Sequence, residues 1–137
     1  MIPTSAMEDY LEAILIMSGK NTEVRVTDLA KHLNIKPPSV IEMIQNMKKK
    51  DLVIHETRKD IQLTTSGKNI AEKIKQRHDL LLTFFVNVLG LDKKTADNDA
   101  CAIEHVLSNK SYERLIQYTQ FIGKQKQSPS DWFDSSK

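Results

Sequence analysis

Residues 27–50 read TDLAKHLNIKPPSVIEMIQNMKKK, and this stretch decides the fold. Thr27 is placed to cap a short helix, Asp28 to about Leu33, by accepting from its first free amides. Asn34-Ile35-Lys36 then reads as a tight turn. Pro37 and Pro38 stand where the next helix begins, a place that tolerates proline because amides there have no intrahelical partner. That helix runs to about Lys50, and its spacing turns Val40, Ile41, Ile44 and Met47 inward.

The flanks extend this pattern. Upstream, Ser5 with Glu8 forms a capping box for a helix to about Met17, and Met7, Tyr10, Leu11, Ile14 and Leu15 make its apolar stripe. Downstream, Leu52–His55 and Ile61–Leu63 are β-like pieces joined by the polar segment 56–60, a hairpin by pattern. Helix, short helix, turn, helix, hairpin is the order of a winged helix-turn-helix. Such a unit presents the start of the helix after the turn to the major groove of duplex DNA and lays the hairpin along the phosphates. Lys36, Ser39, Gln45 and Asn46 fall on the outer side of that helix, with Lys48–Lys50 near its end and Arg58 and Lys59 at the hairpin tip. Residues 31–50 carry Lys31, Lys36, Lys48, Lys49 and Lys50 against Glu42, a local basic patch on a chain of net charge +2. A solvated helical face would carry the same charges without any nucleic-acid role.

The second half is also helical. Thr65 or Ser66 caps a helix from about Gly67 to Leu89. Its end, Leu80–Leu89, is apolar nearly all round, so it belongs either to a core or to an oligomer interface. Gly90 stops it, two further helices fit Lys93–Leu107 and Tyr112–Gly123, and a polar tail starts near Gln127.

Composition narrows the class. The 137 residues, 39% hydrophobic and 28% charged with mean hydropathy −0.43, suit a folded water-soluble chain of about one domain or two very small ones. No stretch approaches a membrane span, and the N-terminus lacks the basic-then-apolar pattern of a secretory signal. One cysteine excludes an internal disulfide framework and fits a reducing cytoplasm. Four glycines and 6% aromatics disfavour a Gly-rich nucleotide fold, so no nucleotide cofactor is expected.

Two groups of possible metal ligands lie on separate helices. Asp9 and Glu12 share a face of the first helix, and Cys101, Glu104 and His105 stand at i, i+3 and i+4 of a later one. His78 lies where the long helix changes from basic to apolar. Carboxylate, imidazole and thiolate together suit a first-row divalent ion. Taken singly, each has an ordinary structural reading: a salt-bridged Glu-His pair, a small core cysteine, an acid at a helix start. A di-metal bundle enzyme would need Glu-x-x-His motifs on facing helices, and no nucleophile–base pair has an oxyanion site, so no enzymatic activity is expected.

In order along the chain, residues 5–12 (SAMEDYLE), 24–30 (VRVTDLA), 38–40 (PSV), 63–67 (LTTSG), Arg77-His78 and 102–105 (AIEH) resemble the diphtheria-toxin-repressor family of metal-dependent transcription regulators, nearest its short manganese-responsive branch. The resemblance implies a mainly α fold with a winged helix-turn-helix domain over 1–72 and a helical metal-binding and dimerisation domain over 73–137. No SH3-like third domain is expected. It further implies a cytoplasmic homodimer on a palindromic operator, away from membranes, repressing metal-homeostasis genes with Mn(II) or Fe(II) as corepressor. Its metal positions fall on Asp9, Glu12, His78, Cys101, Glu104 and His105. The manganese branch usually carries glutamate at Cys101, and the iron branch cysteine there but methionine at Asp9, so this set is a hybrid. The candidate DNA-facing set is Thr27, Lys36, Pro38, Ser39, Glu42, Gln45, Lys48, Arg58 and Lys59. Glu42 would repel phosphate or accept from a cytosine amino group. A metal-independent winged-helix regulator sensing a small molecule and a helical metalloenzyme are the alternative readings.

Overall fold

In the computed structural model, which describes residues 3–20, 23–56, 59–125 and 128–133, the chain divides into two units, Met1–Ile74 and Lys75–Lys137. In the first, α1 (Ser5–Ser18) buries Met7, Tyr10, Leu11, Ala13 and Ile14. Thr4, not Ser5, caps it: extended at φ −73°, ψ 163°, it accepts from the Met7 amide at 3.2 Å. Met7 rather than Glu8 is therefore the third helical residue, and the expected capping box does not form. Burial pushes the Tyr10 hydroxyl above its ordinary pKa.

Helix α2 (Val26–Leu33) likewise starts ahead of Thr27, which is an exposed residue inside it. The Asp28 carboxylate accepts from the Arg25 amide at 3.0 Å, which fixes the start two residues earlier than a Thr27 cap would. The turn behaves as its sequence suggests. Asn34 adopts the left-handed conformation (φ 56°, ψ 48°), so the Ile35 amide reaches the Ala30 carbonyl at 2.9 Å and the Asn34 amide points to that of Lys31. That is a Schellman stop, with asparagine tolerating the conformation most side chains avoid.

Pro37 and Pro38 open α3 (Pro37–Lys49), which buries Val40, Ile44 and Met47. Ile41 was expected inward and is instead 46% exposed. It sits about 100° round the helix from Val40, outside the stripe the core contacts. A second Schellman stop follows at Asp51 (φ 58°), with the Leu52 amide on the Met47 carbonyl at 3.0 Å.

The hairpin is real but narrower than its pattern: β1 (Val53–Ile54) pairs antiparallel with β2 (Gln62–Leu63), Val53 opposite Leu63. The Ile61 amide also bonds the Val24 carbonyl at 2.7 Å, which anchors the hairpin to the segment before α2. Thr64 joins the hairpin to α4 (Thr65–Thr83): its hydroxyl donates to the Asp51 carbonyl at 2.7 Å and accepts from the Gly67 amide at 3.0 Å. Thr64 is therefore the cap expected at Thr65 or Ser66. Gly67 is required by space, since a Cβ there would lie 2.1 Å from the Leu52 carbonyl oxygen. Leu11, Ile14, Leu29, Val40, Ile44, Met47 and Ile61, each at most 1% exposed, form the centre of this unit's core.

In the second unit the regular part of α4 ends at Thr83, six residues short of expectation, and a π-helical turn, Phe84–Val88, carries the chain to Gly90 (φ +73°). Asp92 caps α5 (Lys93–Ile103), and its hydrogen bonds from Thr95 hold its carboxyl below the usual carboxylate pKa. Helix α5 stops at Ile103, not Leu107. The Arg77 guanidinium occupies the carbonyls of Glu104 (3.2 Å) and Leu107 and the Asn109 side chain, leaving 104–106 as a turn. Ser108 then caps α6 (Asn109–Lys124). A 3₁₀ turn, Pro129–Asp131, leads to the paired rings of Trp132 and Phe133.

Candidate functional site

The charged and polar residues singled out on the first unit stand in solvent. Thr27, Lys36, Pro38, Ser39, Glu42, Gln45, Lys48 and Lys59 are all exposed, while Arg58 lies outside the described residues. Lys59 is held by Glu56 at 2.7 Å, so part of the charge at the hairpin is already compensated. Exposed Ile41 lines an open groove with Gln45 and Lys48 of α3 and His55 and Glu56 of the hairpin. The face that helix-turn-helix geometry turns toward a duplex is thus polar, basic at its end, and bordered by the wing.

On the second unit the side chains converge on one carboxylate. Glu104 is 1% exposed, with Oε2 2.8 Å from His78 Nδ1 and Oε1 3.5 Å from His105 Nε2. Cys101 Sγ lies 3.7 Å from the same His78 Nδ1. The other ring nitrogen, Nε2, is 2.8 Å from Asp97 Oδ1. Helix α4 supplies His78, α5 supplies Asp97 and Cys101 one turn apart, and the turn after α5 supplies Glu104 and His105. The turn matters. Because Arg77 holds the Glu104 and Leu107 carbonyls, the Glu104 and His105 side chains are set by a fixed backbone bend rather than by a continuing helix.

Of the residues expected to bind metal, the structure brings His78, Cys101, Glu104 and His105 together in this unit. Asp9 and Glu12 lie three residues apart on α1 of the other unit, Asp9 exposed and Glu12 half-buried. Asp97 was not anticipated. Its position four residues before Cys101 was the available signal, since that spacing places both on one helix face. The shaping role of Arg77 was not anticipated either; a basic residue entering an apolar half-helix was its signal.

The donor set fits a divalent ion. Bonds of roughly 2.0–2.3 Å to N, O and S separate neighbouring donors by about 3 Å, the scale of the contacts around Glu104 and His78. A buried carboxylate also requires positive charge or donors around it. Imidazole, carboxylate and thiolate without a four-sulfur or all-oxygen cage suit Mn, Fe, Co or Zn rather than Ca.

The second unit also has an apolar surface. The rings of Phe84 and Tyr118 meet edge to face with centroids 6.3 Å apart, Phe121 lies tilted against Tyr118 at 6.5 Å, and Tyr118 and Phe121 remain about half exposed. Phe84, Val88, Leu89, Tyr118, Ile122 and Trp132 line its hollow. No helix among the described residues is long and apolar enough to cross a membrane.

Comparison with known proteins gives a consistent picture. A family model described as iron dependent repressor, N-terminal DNA binding domain, matches residues 3–61. Another, iron dependent repressor, metal binding and dimerisation domain, matches residues 64–132. Among solved structures, the manganese regulator SloR is 26% identical over 88% of this chain and 55% of its own, with TM-score 0.76. A manganese-dependent transcriptional repressor in complex with manganese is 28% identical over 84% of this chain and 53% of its own, with TM-score 0.75. IdeR of T. acidophilum, 24% identical over 87% of this chain and 56% of its own, with TM-score 0.74, shares the fold. The chain spans about half the length of these structures.

Proposed function

The chain belongs to the iron-dependent repressor family, and on that premise we propose that it is a metal-dependent DNA-binding repressor of metal-homeostasis genes, with Mn(II) or Fe(II) as corepressor. One observation carries the reading: the buried Glu104 carboxylate faces His78 Nδ1 and His105 Nε2, with the Cys101 thiol beside them. His78, Cys101, Glu104 and His105 are the ligands proposed from this unit. Asp9 and Glu12 complete the set on the family resemblance. A bound divalent ion would supply positive charge to these carboxylates and fix their orientation. Glu104 presents one oxygen to each imidazole, and Cys101 adds a softer donor that shifts preference from manganese toward iron.

On the DNA side, Lys36 and Lys48, with Arg58 and Lys59 of the hairpin, would meet phosphates and set affinity and register. Ser39, Glu42 and Gln45 would read base edges. Glu42 would repel phosphate and, set against a base edge, would accept from a cytosine amino group. Two copies joined through the Phe84–Tyr118–Phe121 face would hold their recognition helices about one duplex turn apart, roughly 34 Å, on a palindrome. Metal dependence then follows from linkage: an ion that binds better in the DNA-competent arrangement raises the population of that arrangement.

The test is selection from a random duplex pool with Mn(II), followed by binding of the selected duplex with Mn(II), with anaerobic Fe(II) and with chelator. Recovery of a palindrome bound only with metal is the expected result. Equal binding under chelator overturns the proposal.

A further inference from the structure

We propose that Asp97 positions His78 for metal binding, by accepting a hydrogen bond from the ring nitrogen that faces away from the other donors. A neutral imidazole has one N–H and one lone pair, and the partner of the N–H decides which nitrogen can bind a metal. Here the two nitrogens have different neighbours. Nδ1 faces Glu104 Oε2 at 2.8 Å and Cys101 Sγ at 3.7 Å, the direction from which His105 also approaches Glu104. Nε2 faces Asp97 Oδ1 alone among these, at 2.8 Å. Both carboxylates only accept, so the single proton of a neutral ring can serve one of them. An ion held among Glu104, Cys101 and His105 would take the Nδ1 lone pair on their side and leave the Nε2 proton to Asp97.

Asp97 is suited to this role by its surroundings. Its side chain is 51% exposed, at the outer edge of the cluster, whereas the His78 side chain is 13% exposed and held in its slot. Helix α5 carries Asp97 and Cys101 on one face a turn apart, so one rigid element sets both the ring's rotation and the thiol beside it. The competing arrangement makes Asp97 itself a ligand together with Nε2, since His78, Asp97 and Cys101 also offer ligand atoms within 4.8 Å of one another. That would put the proton on Nδ1, where it would donate to Glu104 Oε2 and keep His78 from sharing an ion with that buried carboxylate. The positioning role lets Nδ1 and Glu104 hold one ion while Nε2 keeps its hydrogen bond to Asp97.

The inference rests on the metal-regulator reading, and the experiment separates the two. Mn(II) affinity is read from the electron paramagnetic resonance signal of free Mn(II), for wild type, Asp97→Ala and Asp97→Asn. The His78 tautomer is read from long-range ¹H–¹⁵N correlations of Cd(II)-loaded protein labelled at histidine. Asp97→Ala should weaken Mn(II) binding by about 10- to 100-fold, the usual effect of losing a partner behind a ligand. Asp97→Asn, whose amide oxygen still accepts from Nε2–H, should recover most of that loss, and wild type should show metal on Nδ1 with the proton on Nε2. Affinity of Asp97→Ala within twofold of wild type, Asp97→Asn as weak as Asp97→Ala, or metal on Nε2 would each overturn it. Wild-type protein that binds neither Mn(II) nor, anaerobically, Fe(II) would instead refute the metal-regulator reading itself.

Discussion

Arg77→Met removes the group that shapes the backbone around the site. The guanidinium is 6% exposed and donates to the Glu104 carbonyl at 3.2 Å, to the Leu107 carbonyl and to Asn109 Oδ1, with Tyr112 stacked 5.3 Å from its centre. Hydrogen bonds from a charged donor contribute about 1.5–3 kcal/mol each. Against them stands the buried Nε, which has no hydrogen-bond partner among the described residues and costs about 1–3 kcal/mol. The balance is a loss of roughly 3–5 kcal/mol, the range found when one partner of a buried charged network is removed. For a chain of this size that lowers Tm by roughly 10–20 °C, read by scanning calorimetry of metal-free protein. Arg77→Lys should recover only part, since one ammonium cannot fork across separate acceptors. A Tm change under about 2 °C would refute the view that Arg77 fixes the turn carrying Glu104 and His105.

Further outcomes follow from single contacts. Gly67→Ala drives a Cβ to 2.1 Å from the Leu52 carbonyl and should destabilise the first unit by about 1–3 kcal/mol, measured by urea unfolding followed by circular dichroism. Phe121→Glu, on the half-exposed aromatic face, should convert a dimer to monomers in sedimentation equilibrium while helicity is kept; a wild-type monomer at micromolar concentration contradicts the role proposed for that face. Cys101→Glu replaces a soft donor by a hard one and should shift the ratio of Fe(II) to Mn(II) activation toward Mn(II) in duplex-binding titrations under anaerobic conditions.

The helix order of both units was legible because apolar spacing, prolines and turn residues all pointed one way. Asn34 and the Pro37-Pro38 pair located the turn between α2 and α3 without tertiary information. Starts were less legible where neighbouring residues could each cap. Thr4 displaced Ser5, Asp28 acted from inside α2, and Thr64 was chosen by its reach to the Asp51 carbonyl, a contact thirteen residues away. The end of α5 was beyond reach for the same reason: it is set by Arg77, on another helix. Spacing therefore placed Cys101, Glu104 and His105 near one another but could not show the bend that aims them, nor Asp97 behind His78.

The measurement closest to the central claim is the coupling between metal and DNA, taken from both sides. Affinity for the selected duplex is measured against free Mn(II), and Mn(II) affinity is measured with and without that duplex, for wild type and Glu104→Ala. Allosteric couplings of about 1–3 kcal/mol correspond to roughly 5- to 150-fold, and reciprocity requires the same factor in both directions. The account predicts matching factors in that range for wild type, and less than about twofold for Glu104→Ala with helicity and dimer retained. Duplex affinity that is strong and indifferent to Mn(II) in wild type would contradict it.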